Sequence, residues 1–477
     1  SDDETVVVNN TSDGLPLTAG SADFSNYVSL GNSLTAGYCD NALFIEGQAN
    51  SYPAILANQF ALVGGGEFKI PYTNDNTGGL LLGGNVIAGP RLYFNGAGPA
   101  PVTGIPTTEV STVLAGPFNN MGVPGAKSFH LLAPGYGNVA GVATGQANPY
   151  FVRFASSPST TILADAAAQD PTFFSLWIGN NDVLGYATSG GSGTNQTGNF
   201  NPATYGPNDI TDPNVFANVY TALVDGMTAN GAQGVVANLP YVTTIPFFTT
   251  VPHNPVPLNA ATAAQLNAGF AAYNNGLLFA QSVGLLTADE VTRRTISFTA
   301  STTNRVVMVD SYLTNLAAYG IPSYRQATSE DLVVLPARSF IGTVVGGNPA
   351  QINGVSVPLA DNWILSKDEI LEVKTATDAY NATIQSIASA KGLAFVDANA
   401  LMTRVANGGI TADNFTVTST YVTGGGFSLD GVHPGPRGYA LISNEFIKAI
   451  NATYGSNFKG VSLGSYRILY PQNPDNF

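Results

Sequence analysis

The chain has 477 residues, 44% of them apolar, and carries 17 basic against 31 acidic side chains for a net charge of −14. That length buries a large core and suits two or three domains or one with large insertions, while no apolar run is long enough for a membrane span. The acidic balance excludes a nucleic-acid partner, because phosphate contacts need Lys and Arg, and the single cysteine, Cys39, excludes a disulfide within the chain.

Charged residues make up only 10% of the chain, against about a quarter in an ordinary soluble domain. Surface hydration therefore falls to Asn, Thr, Ser and Gly, a composition that points to an extracytoplasmic setting: secreted, periplasmic or an outer-membrane lipoprotein. Cys39, in apolar surroundings, is expected to be a buried and inert thiol. Residues 1–24 read as a polar tether whose opening Ser1-Asp2-Asp3-Glu4 suits a mature form. Peripheral membrane association would then need a lipid anchor that this chain does not contain. Residues 25–460 read as one domain and 461–477 as a tail.

The first strand is expected at Tyr27–Leu30, stopped by Gly31, with Ser33 at the turn into a helix. Ser51 to Leu62 reads as a helix with Pro53 in its first turn, where a missing N–H does no harm. Residues 64–118 are rich in Gly and Pro and read as an insertion. Phe118–Gly125 is a short element followed by an expected helix from Ala126. The continuous apolar run Phe173–Ile178 predicts a strand buried on both faces. Val215, Val219, Leu223 and Met227 mark one helix face by their spacing, and the strand Gly234–Leu239 follows.

Residues 240–362 read as a second insertion, with a helix over Ala260–Leu286, strands at Thr295–Thr299 and Arg305–Val309, and a hairpin turn at Asn353-Gly354. Ser366 and Glu369 predict a capping box for a helix striped by Ile370, Val373, Tyr380, Ile384 and Ile387 and closed by Gly392. Strand Leu393–Val396 leads to a last helix that turns Tyr439, Ile442, Phe446 and Ile450 to the core. Buried strands alternating with amphipathic helices call for a parallel sheet covered on both sides. The two insertions are expected to wall whatever site that sheet carries.

Ligands of a parallel α/β sheet bind at the carboxyl ends of its strands, so the Ser33 hydroxyl is placed to reach a substrate; it is equally placed to cap the next helix. Three histidines, His130, His253 and His433, bound the choice of a base. His433 follows Asp430 by three residues, a spacing that lets the carboxylate accept the imidazole N–H, fix its tautomer and stabilise its charged form. The other reading of Asp430-Gly431-Val432-His433 is a surface loop capping the last helix. His253 reads as an insertion-loop residue and His130 as a packing residue. Asn181, in Gly179-Asn180-Asn181-Asp182, can donate an amide hydrogen into a site at its strand's end or simply make a turn. Gly125 can present a free backbone N–H or merely open a helix. Gly125-Ala126-Lys127-Ser128 lacks the glycine spacing of a phosphate-binding loop, and no His, Cys or carboxylate set has zinc-ligand spacing.

Taken together, GNSLTAG with Ser33, NMGVPG with Gly125, GNND with Asn181 and DGVHP with Asp430 and His433 resemble, in order, the four blocks of the SGNH, or GDSL-type, hydrolases. The one departure is Asn32, where the family usually has Asp. The resemblance implies a three-layer α/β/α, flavodoxin-like core with a five-stranded parallel sheet, and an esterase or lipase that needs neither metal nor cofactor. It implies Ser33 as nucleophile, His433 as base and Asp430 as its orienting acid, with Ser33, Gly125 and Asn181 as the oxyanion hole. The expected substrate is a small-molecule, lipid or glycan ester. The alternative, suggested by Asn32, is a surface protein that keeps the fold and binds glycan or lipid without the chemistry.

Overall fold

Five short apolar segments pair in parallel to make the central sheet: β1 (Tyr27–Gly31), β2 (Asn120–Gly122), β3 (Phe173–Trp177), β4 (Gln233–Ala237) and β5 (Ala394–Val396). The computed structural model describes residues 14–473; residues 1–13 of the expected tether and 474–477 of the expected tail lie outside them. Strand order is β2-β1-β3-β4-β5, the flavodoxin-like order whose topological switch lies between β1 and β3. β1 and β3 are buried along their whole length, because helices cover both faces, as a parallel sheet requires. Register aligns the strand ends: Gly31 sits beside Gly122 on one side and Trp177 on the other.

The helices that matter for the site are α1 (Ser33–Ala36), α2 (Tyr52–Phe60), α3 (Pro213–Thr228), α4 (Lys367–Lys391), α5 (Ala398–Ala406) and α6 (Pro436–Tyr454). α4 carries the expected capping box, with Ser366 Oγ accepting from Glu369 N and Glu369 accepting from Ser366 N, and Gly392 closes it in the left-handed conformation. Val215, Val219, Leu223 and Met227 of α3 are all buried, as are Tyr439, Phe446 and Ile450 of α6, while Ile442 is half-buried. Residues 14–24 lie against the end of α6: Ser21 N–H donates to Tyr454 O at 2.8 Å, and the Phe24 ring stacks on Phe60 at 4.0 Å.

Three local expectations are corrected. No α-helix starts at Ala126; a 3-10 turn over Ser128–Leu132 follows Gly125 instead. Thr295–Thr299 is not a strand, although Ile296 and Phe298 do point inward. Its backbone pairs with asparagine side chains of the helix Ala260–Ser282: Asn274 Oδ1 accepts from Ile296 N at 3.0 Å and Asn267 Oδ1 from Phe298 N at 2.8 Å. Alternating apolar residues thus gave the strand pattern, while the hydrogen bonds went to side chains. The hairpin of this region turns at Gly346-Gly347, between Val344–Val345 and Asn348–Ile352, rather than at Asn353-Gly354.

Candidate active site

The chain leaves β1 at Gly31, where any side chain is excluded by close packing: a Cβ there would lie 2.2 Å from Thr35 Oγ1 and 2.6 Å from Trp177 O. Asn32 then caps α1, its Oδ1 accepting from Leu34 N at 3.0 Å, while its Nδ2 donates to Asn180 Oδ1 at 3.1 Å. A short polar side chain at this position satisfies an orphan helix donor whether or not it is charged. The cap is therefore Asn32, and the Ser33 hydroxyl is left for another partner. That partner is His433, whose Nε2 lies 2.8 Å from Ser33 Oγ.

His433 is held by a closed loop. Ser428 N donates to His433 O at 2.8 Å, and Asp430 Oδ1 accepts from the backbone N–H groups of Val432 and His433 at 2.9 and 2.8 Å. Asp430 Oδ2 lies 2.9 Å from His433 Nδ1. With a carboxylate on Nδ1, the neutral ring carries its proton there and leaves Nε2 free to accept from Ser33. Burial pushes the Asp430 carboxyl up, but the His433 charge and the hydrogen bonds from His433 and Asn41 outweigh it and hold it below its ordinary value. The stability this network contributes is present above about pH 4 and is lost only as pH falls through the depressed value. Both side chains are largely buried, and the Tyr38 ring packs 4.6 Å from the His433 ring.

A second support comes from the turn Cys39–Ala42. Asp40 and Asn41 both take the left-handed conformation, with φ of 51° and 64°, which Asp and Asn tolerate better than other residues with a side chain. The turn aims Asn41 N–H at Asp430 Oδ2, 3.0 Å away. It also joins Asp40 to the same loop twice, through Asp40 N to Ser428 Oγ and Leu429 N to Asp40 Oδ1, both 2.9 Å. Asp40 is fully buried, and burial pushes its carboxyl up to about 7, against the Leu429 hydrogen bond and with the Asp430 charge. A carboxyl whose folded value exceeds its unfolded one destabilises the fold as pH rises between the two, here from about 4 to about 7. Asp40→Asn keeps the accepting oxygen and removes the charge. Its melting temperature is expected to fall less than that of the parent between pH 5 and pH 8; equal falls in both proteins would exclude Asp40 as the titrating group.

The neighbouring strand ends supply donors. Gly125, three residues past β2, has φ of +86°, a conformation that glycine adopts without steric cost; neither its N–H nor that of Ser33 has a protein acceptor among the described residues. Asn181, four residues past β3, donates one amide hydrogen to Ala126 O at 2.9 Å, which fixes the amide plane and leaves the second hydrogen free. Asp182 is buried and accepts from Ser128 N at 2.8 Å and Ser128 Oγ at 2.6 Å, so the loops after β2 and β3 are locked to each other.

Ser33, Gly125, Asn181, Asp430 and His433 together line one open cavity of about 550 Å³, shared with Tyr38 and Tyr150. A second, apolar cavity of about 100 Å³ also opens at Ser33, Asn181 and His433. The segment 240–362 contributes wall residues, among them Phe247 and Ile245, but neither cavity takes any residue from 64–118. The expectation that both insertions wall the site is corrected accordingly. Tyr150, α5 and the hairpin β6 (Ile410–Ala412) and β7 (Phe415–Val417) take that place through Leu401, Met402 and Val417.

His130 stacks on Tyr136 at 4.5 Å and accepts from Lys127 N through Nδ1. Burial and the Lys127 charge push its value down to about 4, so it is neutral near pH 7. His253 lies in the 240–362 segment, and neither histidine lines a cavity with Ser33. The sequence Gly460-Val461-Ser462-Leu463-Gly464 has the spacing of an α/β-hydrolase nucleophile turn, but Ser462 precedes a 3-10 turn beyond α6 with no strand before it, and that motif needs a strand-to-helix turn. Among the described residues there is no group of His, Cys, Asp and Glu that could hold a metal ion, and no helix is long and apolar enough to cross a membrane.

No protein-family model matches the chain, and no curated protein matches it. Three solved structures are similar over 90% of this chain. A mutant acetyl-xylooligosaccharide esterase from Geobacillus is 10% identical with 96% of its chain covered and a TM-score of 0.32. An extracellular lipase from Streptomyces rimosus is 12% identical, 99% covered, TM-score 0.28. A phospholipase A1 from Streptomyces albidoflavus is 13% identical, 100% covered, TM-score 0.29. Identities and TM-scores are low throughout, and the chemistry of the site rests on its own distances.

Proposed function

We propose that the chain is a serine ester hydrolase of the SGNH type. The observation that carries this reading is the run of hydrogen bonds from Ser33 Oγ through His433 to Asp430, opening on a cavity that Gly125 and Asn181 also line. Ser33 Oγ attacks the ester carbonyl while His433 Nε2 takes its proton. Asp430 keeps the ring in the right tautomer and stabilises the imidazolium. The tetrahedral oxyanion is received by the N–H groups of Ser33 and Gly125 and by the second amide hydrogen of Asn181. His433 then returns the proton to the leaving alcohol, and water, activated by the same ring, releases the acid from Ser33. No step calls for a metal or a cofactor.

Asn32 does not favour the binding-only alternative, because both ends of its side chain are engaged in capping α1 and in bonding Asn180. A fluorophosphonate probe tests the reading directly: it is expected to label Ser33 and to abolish hydrolysis of p-nitrophenyl butyrate. An unlabelled, correctly folded protein would return the assignment to a binding protein. An extracytoplasmic location belongs to the same proposal, and activity recovered in a periplasmic or culture fraction is the result that supports it.

A further inference from the structure

Two cavities meet at Ser33, one of mixed lining and one almost wholly apolar, and an ester has two arms. The open one sets Asn41, Thr188 and Asp430 beside Leu184, Phe247 and Val432. The apolar one is lined by Trp177 and Leu184 together with Leu401 and Met402 of α5, Val417 of β7 and Leu441 of α6. Its few polar side chains near Ser33 are committed elsewhere: Asn32 to Asn180, the Trp177 indole N–H to Asn238 O at 2.9 Å, and one Asn181 hydrogen to Ala126 O. A sugar ring placed there would bury hydroxyls without partners, which is costly. A hydrocarbon chain would leave nothing unpaired.

Resting on the ester-hydrolase reading of Ser33, we infer that the pocket between α5, β7 and α6 binds the acyl chain of the substrate, so the enzyme acts on esters of acids longer than acetic acid. The alcohol arm lies in the open cavity and tolerates a polar headgroup. The carbonyl sits at Ser33, its oxygen toward Gly125 and Asn181, and the leaving oxygen faces His433 Nε2. Met402 lies in the wall of the pocket, largely buried, on a helix that contributes none of the five groups of the reacting centre.

The test is a series of p-nitrophenyl esters from acetyl to dodecanoyl, with the parent, Met402→Trp and Met402→Ala, each first checked for fluorophosphonate labelling. Burying a methylene is worth about fourfold in kcat/KM, so the butyryl ester of the parent, with two more methylenes, is expected to exceed the acetyl ester about 15-fold, with the optimum at a longer chain. Met402→Trp is expected to lower the ratio of long-chain to acetyl kcat/KM by at least about tenfold, and Met402→Ala to move the optimum to longer chains. A parent active on acetyl esters alone, or an optimum that moves in neither variant, overturns the acyl pocket while leaving Ser33 as nucleophile. Absence of labelling and of turnover on every ester overturns the Ser33 reading and this one with it.

Discussion

Ser33→Ala is expected to lower turnover of p-nitrophenyl butyrate by about 10⁴- to 10⁶-fold, the range seen when a serine nucleophile is removed from such a relay. The same protein should melt within a few degrees of the parent. Only one hydrogen bond is lost, that to His433, worth about 1 kcal/mol, and the helix cap stays because Asn32 supplies it. Had Ser33 been the cap, the ranking would be reversed, with a clear loss of stability and little loss of rate. Comparing kcat and melting temperature in one variant therefore separates the two roles of the hydroxyl. Activity retained at the parental level would end the assignment.

Asp430→Asn is expected to cost about 10⁴-fold in kcat and, unlike Ser33→Ala, to lower the melting temperature as well. Asp430 accepts four N–H groups, two on each oxygen: Val432 N and His433 N on one, His433 Nδ1 and Asn41 N on the other. An amide has one oxygen. Whichever way it turns, two donors face an NH₂ group, and each buried donor left unpaired costs about 1–3 kcal/mol. The ring also loses the acceptor that fixes its tautomer, so Nε2 no longer faces Ser33 as a base. A melting temperature equal to that of the parent, measured in the same buffer, would show that the loop is held by Ser428 and Asp40 alone.

The core was legible in the sequence because its strands are short, apolar and bounded by glycine, and because α4 carries its own cap residues at both ends. Of the site, Ser33, Gly125, Asn181, Asp430 and His433 were legible since each stands just beyond a strand or just before a helix, where a parallel sheet brings such positions together. What escaped was the set of contacts with no local period. Asn41 reaches Asp430 through its backbone N–H, across 389 residues, and the only hint was an Asp-Asn pair suited to a left-handed turn. The capping role of Asn32 was hidden behind its difference from the family. The α5 and β7 wall was missed because the stretch between Val396 and the last helix read only as a polar connection, while the chain forms a helix and a hairpin there. Thr295–Thr299 misled for the opposite reason: its apolar alternation is real, but Asn267 and Asn274 satisfy its backbone.

The hydrogen bond between Ser33 and His433 joins positions 400 residues apart, one just after the first strand and the other in the loop before α6. During synthesis the serine emerges early and the imidazole late. Until α6 has docked beside β5, the nascent chain holds an ordinary alcohol with no base, and contacts of such long range are the slowest to form. The relay between Ser33 and His433 therefore exists only once the loop before α6 has reached the end of β1.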